Sequence, residues 1–402
     1  MNILEADYIY IEGEYVSHKA IAFDNKIRTI DTKEKLLELY PNAILHSTPP
    51  NSVIYPGFIN THVHLEFSSN QTTLSYGSFV PWLGSVMANT SKTSSCDDST
   101  MQEACKEMLT SGITAFGAIS SHGIDLDVCT QTPQRVVYFN EIVGSNSNIV
   151  DINYDSFERR IKLSQKYTSD FFIPAVAVHS AYSTHEILVK KAISYAKENQ
   201  LLLSAHLLES HSEREWLTTA SGEFYNFYKK FLGVEKPANT LYEFIKAFDD
   251  IPTHFIHCVQ ATKEELDMLA AKGHSIAHCP RSNRMLGCGR LSIENVKAPL
   301  SVATDGLSSN WSLNIIGELR AALMMHYDIP LHELSLQLIN CITSVPAEIL
   351  GLNCGMIASG RLADMCVITL PDKPTSLKEI ALWTILHTHK ATKVYIGGKQ
   401  YV

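Results

Sequence analysis

The chain is predicted to fold as a TIM-type (β/α)8 barrel with a small β-sandwich module formed by both termini. Three observations point there. Apolar runs of strand length alternate with helical segments through the middle of the 402 residues. Both ends are strand-rich instead. Histidines and acids stand at the ends of the middle runs. The expected division is residues 1–55 plus 355–402 for the module and 56–354 for the barrel.

The first 55 residues read as short strands: Tyr8-Ile9-Tyr10-Ile11, Tyr15-Val16, Ala20 to Phe23 and Lys26 to Ile30. Gly13 and Asp24-Asn25 punctuate them as turns. Eight apolar runs follow: Val53 to Asn60, Ile113 to Ile119, Val136 to Ile142, Phe171 to Val178, Leu201 to Ala205, Thr253 to Ile256, Ser275 to Ala277 and Leu300 to Thr304. Helices are expected between them. Ser183-Thr184-His185-Glu186 has capping-box spacing, with Leu188, Ala192, Tyr195 and Ala196 at helical intervals. Thr262-Lys263-Glu264-Glu265 is a second box, followed by Leu266, Leu269 and Ala270, with Gly273 as the stop. Beyond residue 355, Ala363 to Ile368 reads as a strand and Val394 to Val402 as a closing hairpin. A doubly wound sheet is the competing fold, but no Gly-rich phosphate turn follows the first run.

Composition narrows the function classes. Hydrophobic content of 45% with 19% charged residues describes a soluble chain with a sizeable core. A net charge of -9 with scattered Lys and Arg argues against nucleic-acid binding. Nine cysteines without a C-x-x-C pair are expected as reduced thiols in the cytoplasm. The N-terminal Met1 to Asp7 carries no signal-like pattern, and no apolar run reaches membrane-spanning length, so neither export nor membrane insertion is expected. A homo-oligomer is compatible with the sequence.

The polar residues at the run ends carry the chemistry. Pro56-Gly57-Phe58-Ile59-Asn60-Thr61-His62-Val63-His64 ends a strand in His-x-His. Alternating strand positions place both imidazoles on one side, where they reach one cation. His206 and Asp305 end two other runs and complete a three-His, one-Asp set with a position left for water. In Ala205-His206-Leu207-Leu208-Glu209, Glu209 stands beside that open position, where a carboxyl can shuttle protons. His257 is placed to hydrogen-bond the water or a developing oxyanion. Glu141, His179 and His278 end further runs. In a barrel all these ends share one mouth.

With these residues in place, the chain resembles the amidohydrolase superfamily over essentially its full length. His62-x-His64, His206-x-x-Glu209, His257 and Asp305 carry the resemblance. More narrowly it resembles purine-type deaminases acting on S-adenosylhomocysteine and methylthioadenosine. There the matching stretches are His179-Ser180-x-Tyr182, Ser282-Asn283 and Thr304-Asp305-Gly306-x-x-Ser309-Asn310-x-Ser312-Leu313-Asn314. His62 to Asn70, with Ser78-Phe79-Val80-Pro81-Trp82-Leu83, is most similar to the group that deaminates aminodeoxyfutalosine.

The resemblance implies one divalent metal per chain, Zn2+ or Fe2+, on His62, His64, His206 and Asp305. A single ion is implied because Phe171 to His179 lacks the Lys that bridges two metals in relatives. It implies proton transfer by Glu209, His257 and Asp305, and substrate contacts from His179 and Ser309. Trp82 and Glu141 join that substrate-binding set. Asn140 stands near the third strand end, where homocysteine-type deaminases carry Arg. Arg281 and Arg284, just past the seventh strand, are then the expected cations for a substrate carboxylate. The implied reaction is hydrolytic deamination of a 6-aminopurine nucleoside, 6-amino-6-deoxyfutalosine to futalosine in menaquinone biosynthesis. Adenosine, methylthioadenosine or S-adenosylhomocysteine are alternative substrates. Guanine, pterin or triazine hydrolysis on the same fold, and a non-catalytic metal-binding barrel, are the other readings.

Overall fold

A computed structural model of the chain describes residues 1–69, 72–89 and 96–402. Asn70, the last residue of the His62 motif, lies outside the described residues. Eight parallel strands lie side by side in chain order: Phe58–Val63, Ile113–Ser120, Arg135–Ile142, Phe172–Val178, Leu203–Leu207, Thr253–His257, Ser275–His278 and Leu300–Val302. Nearly every residue on them is buried, which is why they read as continuous apolar runs rather than alternating ones. The barrel closes where the eighth strand meets the first. Asp305 N donates to His62 O over 3.1 Å, and Thr304 N donates to Asn60 Oδ1 over 3.0 Å.

The run from Val53 to Asn60 divides between two sheets. Ser52–Pro56 pairs with Met365–Thr369 and Tyr8–Ile11, and Phe58–Val63 enters the barrel. Gly57 stands between them, where a Cβ would fall 2.0 Å from Thr114 Oγ1. Only glycine lets the chain pass from one sheet to the other so close to the second barrel strand.

The termini build two sheets, one of four strands and one of six. Between them Leu4, Ile9, Ile21, Phe23, Ile54, Met365, Val367 and Tyr395 form a separate apolar core. Arg135 on the third barrel strand ties the barrel to these sheets. It pairs with Asp364 at 2.6 Å, with both side chains buried. The C-terminal segment also contains the helix Glu379–His387, which packs on the helices Ile315–Met325 and Leu331–Asn340. Strand patterning alone does not anticipate it.

The capping box at Thr262 and Glu265 forms as the sequence predicts. The one expected at Ser183 does not. His185 caps the helix Glu186–Glu198 instead, and Ser183 Oγ turns to His179 Nδ1 at 2.5 Å. All nine cysteines are buried and unpaired. Among the described residues no helix is long and apolar enough to cross a membrane.

Candidate active site

The strand exits converge as the barrel requires. His62 and His64 leave the first strand, His179 the fourth, His206 the fifth and His257 the sixth, and Asp305 follows the eighth. The rings of His62 and His206 lie 4.9 Å apart, and those of His62 and His64 4.8 Å. Nε2 of His62 and of His64 lie 3.5 and 3.7 Å from Asp305 Oδ1. Ligand atoms of His62, His64 and His206, and of His62, His257 and Asp305, fall within 4.8 Å of one another. Two atoms bound to one ion at roughly 2.1 Å in tetrahedral geometry stand about 3.4 Å apart.

The residues fit a divalent cation on a second count. Among the described residues neither nitrogen of His62 has a hydrogen-bond partner, nor has Nδ1 of His64, although all three are buried. His206 Nδ1 donates to His179 O over 2.8 Å, which leaves its Nε2 lone pair free for the site. Burial keeps His64 and His206 neutral. It pushes His64 down to about 4 and His206 well below the usual range, with His62 adding to both shifts.

The two carboxyl groups are driven apart. Burial pushes Asp305 up, but the close imidazole of His62, with those of His64 and His257, holds it well below the usual carboxylate range. Burial, then the charges of Asp305 and Glu213, raise Glu209 well above its ordinary value. The two carboxyls are thus pushed in opposite directions, the pattern of a proton donor beside a proton acceptor. Glu209 Oε1 lies 3.5 Å from His257 Nε2, which lies 4.0 Å from Asp305 Oδ2. His257, Asp305 and Leu208 adopt left-handed backbone with φ of 71°, 59° and 50°. Such strain gathers where side chains must be aimed. Beside Asp305, a Cβ on Gly306 would meet His64 Cβ at 2.9 Å.

A cavity opens over this cluster. Phe67, Phe79, Trp82, Leu83 and Val86 form its apolar wall, and Ser121, His179, Tyr182, Ser308 and Ser309 add polar groups. Trp82 Nε1 donates to Ser308 O over 2.9 Å, joining the wall to the loop after the eighth strand. Glu141 lies deeper, accepting from Ser121 Oγ at 2.5 Å and clustering with His179 and His206.

The arginines expected at the mouth are not there. Arg281 sits on the short helix Pro280–Met285 and turns to the helix Ile315–Met325. It forms a buried ion pair with Glu318 and donates to Ser312 O and Asn314 O at 2.9 and 3.0 Å. Its charge is paired inside the fold and it does not line the cavity. Arg284 is exposed and absent from the cavity lining. Asn140 points into the barrel wall, donating to Ser164 Oγ over 2.9 Å. His278 is buried behind the cavity, 3.0 Å from His326.

Residues 53–401 match the profile of the amidohydrolase family. The chain belongs to that family. It is 44% identical to the aminodeoxyfutalosine deaminase of a Nitratiruptor species, covering 100% of both chains. It is 36% identical to an adenosine deaminase of Helicobacter pylori over 97% of this chain and 96% of that one. The crystal structure of Helicobacter pylori aminofutalosine deaminase in complex with methylthio-coformycin superposes with a TM-score of 0.95. It is 34% identical, with 100% of each chain covered.

Sequence reasoning missed several residues that shape the site of this amidohydrolase. Glu213 accepts from the backbone N–H groups of Leu208 and Glu209 at 3.0 and 2.7 Å and so holds the Glu209 loop. Its signal was present, since Ser210 and Glu213 have capping spacing at the start of the helix His211–Thr219. Glu66 accepts from Ser121, His122 and Ile124 N–H groups at 2.8 to 3.0 Å and fixes the loop after the second strand. No local pattern marks that role. Phe67 and Tyr182 lie in the matched motifs but carried no assignment.

Proposed function

We propose that this amidohydrolase deaminates a 6-aminopurine nucleoside, converting 6-amino-6-deoxyfutalosine to futalosine and ammonia in menaquinone biosynthesis. The observation that carries the reading is the convergence of His62, His64, His206 and Asp305 with Glu209 and His257 beneath one cavity. The full-length likeness to an aminodeoxyfutalosine deaminase supports the choice of substrate. The catalytic unit is the barrel of residues 56–354, braced by the module of residues 1–55 and 355–402.

His62, His64, His206 and Asp305 would hold one divalent ion, zinc in the first instance, with ferrous iron also suited to the donor set. When bound, the ion supplies a water whose pKa is lowered to roughly 7. Glu209 delivers its proton to the ring nitrogen beside C6 of the purine, making that carbon electrophilic. Asp305 takes a proton from the attacking water. C6 becomes tetrahedral; the exocyclic nitrogen takes the proton held by Asp305 and leaves as ammonia, while the new hydroxyl gives its proton back to Glu209 and closes to the C6 carbonyl. His257 orients the water, while the aromatic wall at Phe79 and Trp82 packs the nucleoside and excludes bulk solvent. His179, Glu141 and Ser309 contact the substrate or the groups that position it. The unpaired cysteines support a reducing, cytoplasmic setting.

The test is ammonia release from aminodeoxyfutalosine, adenosine, methylthioadenosine and S-adenosylhomocysteine, alongside elemental analysis. The expected result is one metal per chain and the highest kcat/KM with aminodeoxyfutalosine. A higher value with adenosine would favour the substrate named for the 36% identical relative. No ammonia from any of the four would sink the deaminase reading.

A further inference from the structure

Behind the cavity, five side chains form a continuous chain from the barrel mouth to the surface. His257 Nδ1 lies 2.9 Å from the Asn283 amide, and that amide lies 3.5 Å from His278 Nδ1. His278 Nε2 lies 3.0 Å from His326 Nε2, and His326 Nδ1 lies 2.8 Å from an Arg290 Nη. Arg290 reaches the surface, paired with Glu294 at 2.8 Å. The other four residues are at most 1% exposed.

Such a chain has a direction, and Arg290 sets it. A guanidinium donates and never accepts. Burial holds His326 down to about 4 and His278 well below the usual range, so each ring has one N–H and one lone pair at neutral pH. His326 Nδ1, facing Arg290, is then the lone pair. Its Nε2–H donates to His278 Nε2, and His278 Nδ1–H donates to Asn283. The amide must meet that hydrogen with its oxygen, which turns its NH2 toward His257 Nδ1. The reverse direction would set two N–H groups head to head at the 2.8 Å contact between Arg290 and His326.

In the structure the amide is turned the other way, with Oδ1 toward His257 and Nδ2 toward His278. The two ends of a carboxamide have nearly the same shape, and the direction of the network decides between them. A half-turn of the Asn283 amide satisfies every member of the chain.

We propose that Arg290, His326, His278 and Asn283 are positioning residues that fix His257 as its Nε2–H tautomer. His257 then presents a donor, not a base, to the reacting oxygen. Proton acceptance falls to Asp305, and proton delivery to Glu209. The inference rests on the deaminase reading for its catalytic consequence, but the tautomer itself is independent of substrate.

The experiment is ring-nitrogen NMR on zinc-loaded protein labelled with nitrogen-15 in histidine alone. Wild type and Arg290→Lys, which keeps a donor, should both show His257 protonated at Nε2. In Arg290→Glu the carboxylate accepts from His326 and reverses the chain, moving His257 to Nδ1–H. There kcat should fall on the order of 10-fold at unchanged KM and unchanged metal content. An Nδ1–H tautomer in wild type, or an unchanged one in Arg290→Glu, overturns the proposal. The wild-type spectrum alone decides if Arg290→Glu does not fold. The expected tautomers in a protein that deaminates no 6-aminopurine nucleoside would overturn the deaminase reading and leave the tautomer assignment standing.

Discussion

Ser282 donates its hydroxyl hydrogen to Asp305 Oδ2 across 2.7 Å. Ser309 donates to the same oxygen across 2.8 Å, while Oδ1 faces His62 and His64. The two oxygens of one carboxylate are thus divided, one toward the cation site and one toward hydroxyl donors that steady its charge. Strand exits seven and eight supply the two serines, so the division is a product of barrel closure.

Ser282→Ala separates these two tasks. It removes one hydrogen bond to an ionised carboxylate, worth about 1.5–3 kcal/mol. Turnover should fall roughly 10- to 100-fold. Metal content should stay at the wild-type value, because Oδ1 is untouched. Elemental analysis beside steady-state kinetics checks it; metal lost in proportion to activity would show that both oxygens serve the ion.

Glu209→Gln keeps the shape of the side chain and removes its transferable proton. The backbone N–H of Glu209 still bonds Glu213, so the loop keeps its place. We expect kcat to drop on the order of 10²-fold or more with little change in KM or metal content. Wild-type turnover from this variant would take Glu209 out of the mechanism.

What the sequence disclosed and what it withheld have physical reasons. Strands buried on both faces are apolar from end to end, so the barrel runs stood out and their ends located His62, His206 and His257. The motif context then supplied Glu209 and Asp305. The pairing of Arg281 was hidden because its partner lies far along the chain. Glu318 sits on the helix Ile315–Met325, where an isolated acid reads as a solvated face, yet it is fully buried. The split at Gly57 was hidden because both halves of that run are equally apolar. His185 displaced the expected cap because Ser183 was recruited by His179, a contact between loop and strand end that local spacing does not encode.

Arg281→Met follows from that correction. The substitution leaves the Glu318 carboxylate buried without its cation, a loss of about 3–5 kcal/mol in folding stability. Chemical denaturation should show it. Restoring apolar balance with Arg281→Met and Glu318→Leu together should recover much of the loss, since a buried ion pair replaced as a unit costs little. Any activity deficit in the folded fraction should be equal for aminodeoxyfutalosine and adenosine. A loss confined to aminodeoxyfutalosine would return Arg281 to the substrate site.

Asp125 offers a pH test outside the catalytic chemistry. Its Oδ1 accepts from Ser120 Oγ and Tyr138 OH, each at 2.7 Å, and its Oδ2 is buried without a partner among the described residues. Burial, then the charge of Glu66, pushes its pKa from 3.8 up to about 8. Between those values the folded chain holds a proton that the unfolded chain releases. Stability from this group is therefore fully present below the unfolded value, declines as pH rises, and is lost by about pH 8. The slope is at most about 1.4 kcal/mol per pH unit. Asp125→Asn has no proton to lose. Its amide oxygen replaces Oδ1, and its NH2 takes the partnerless position. Its stability relative to wild type should rise steadily from pH 4 to pH 8 and then level off. Thermal unfolding of both proteins across that range measures the difference. A difference that stays constant with pH would mean that Asp125 is ionised in the folded protein, with the nearby Arg160 guanidinium compensating its charge.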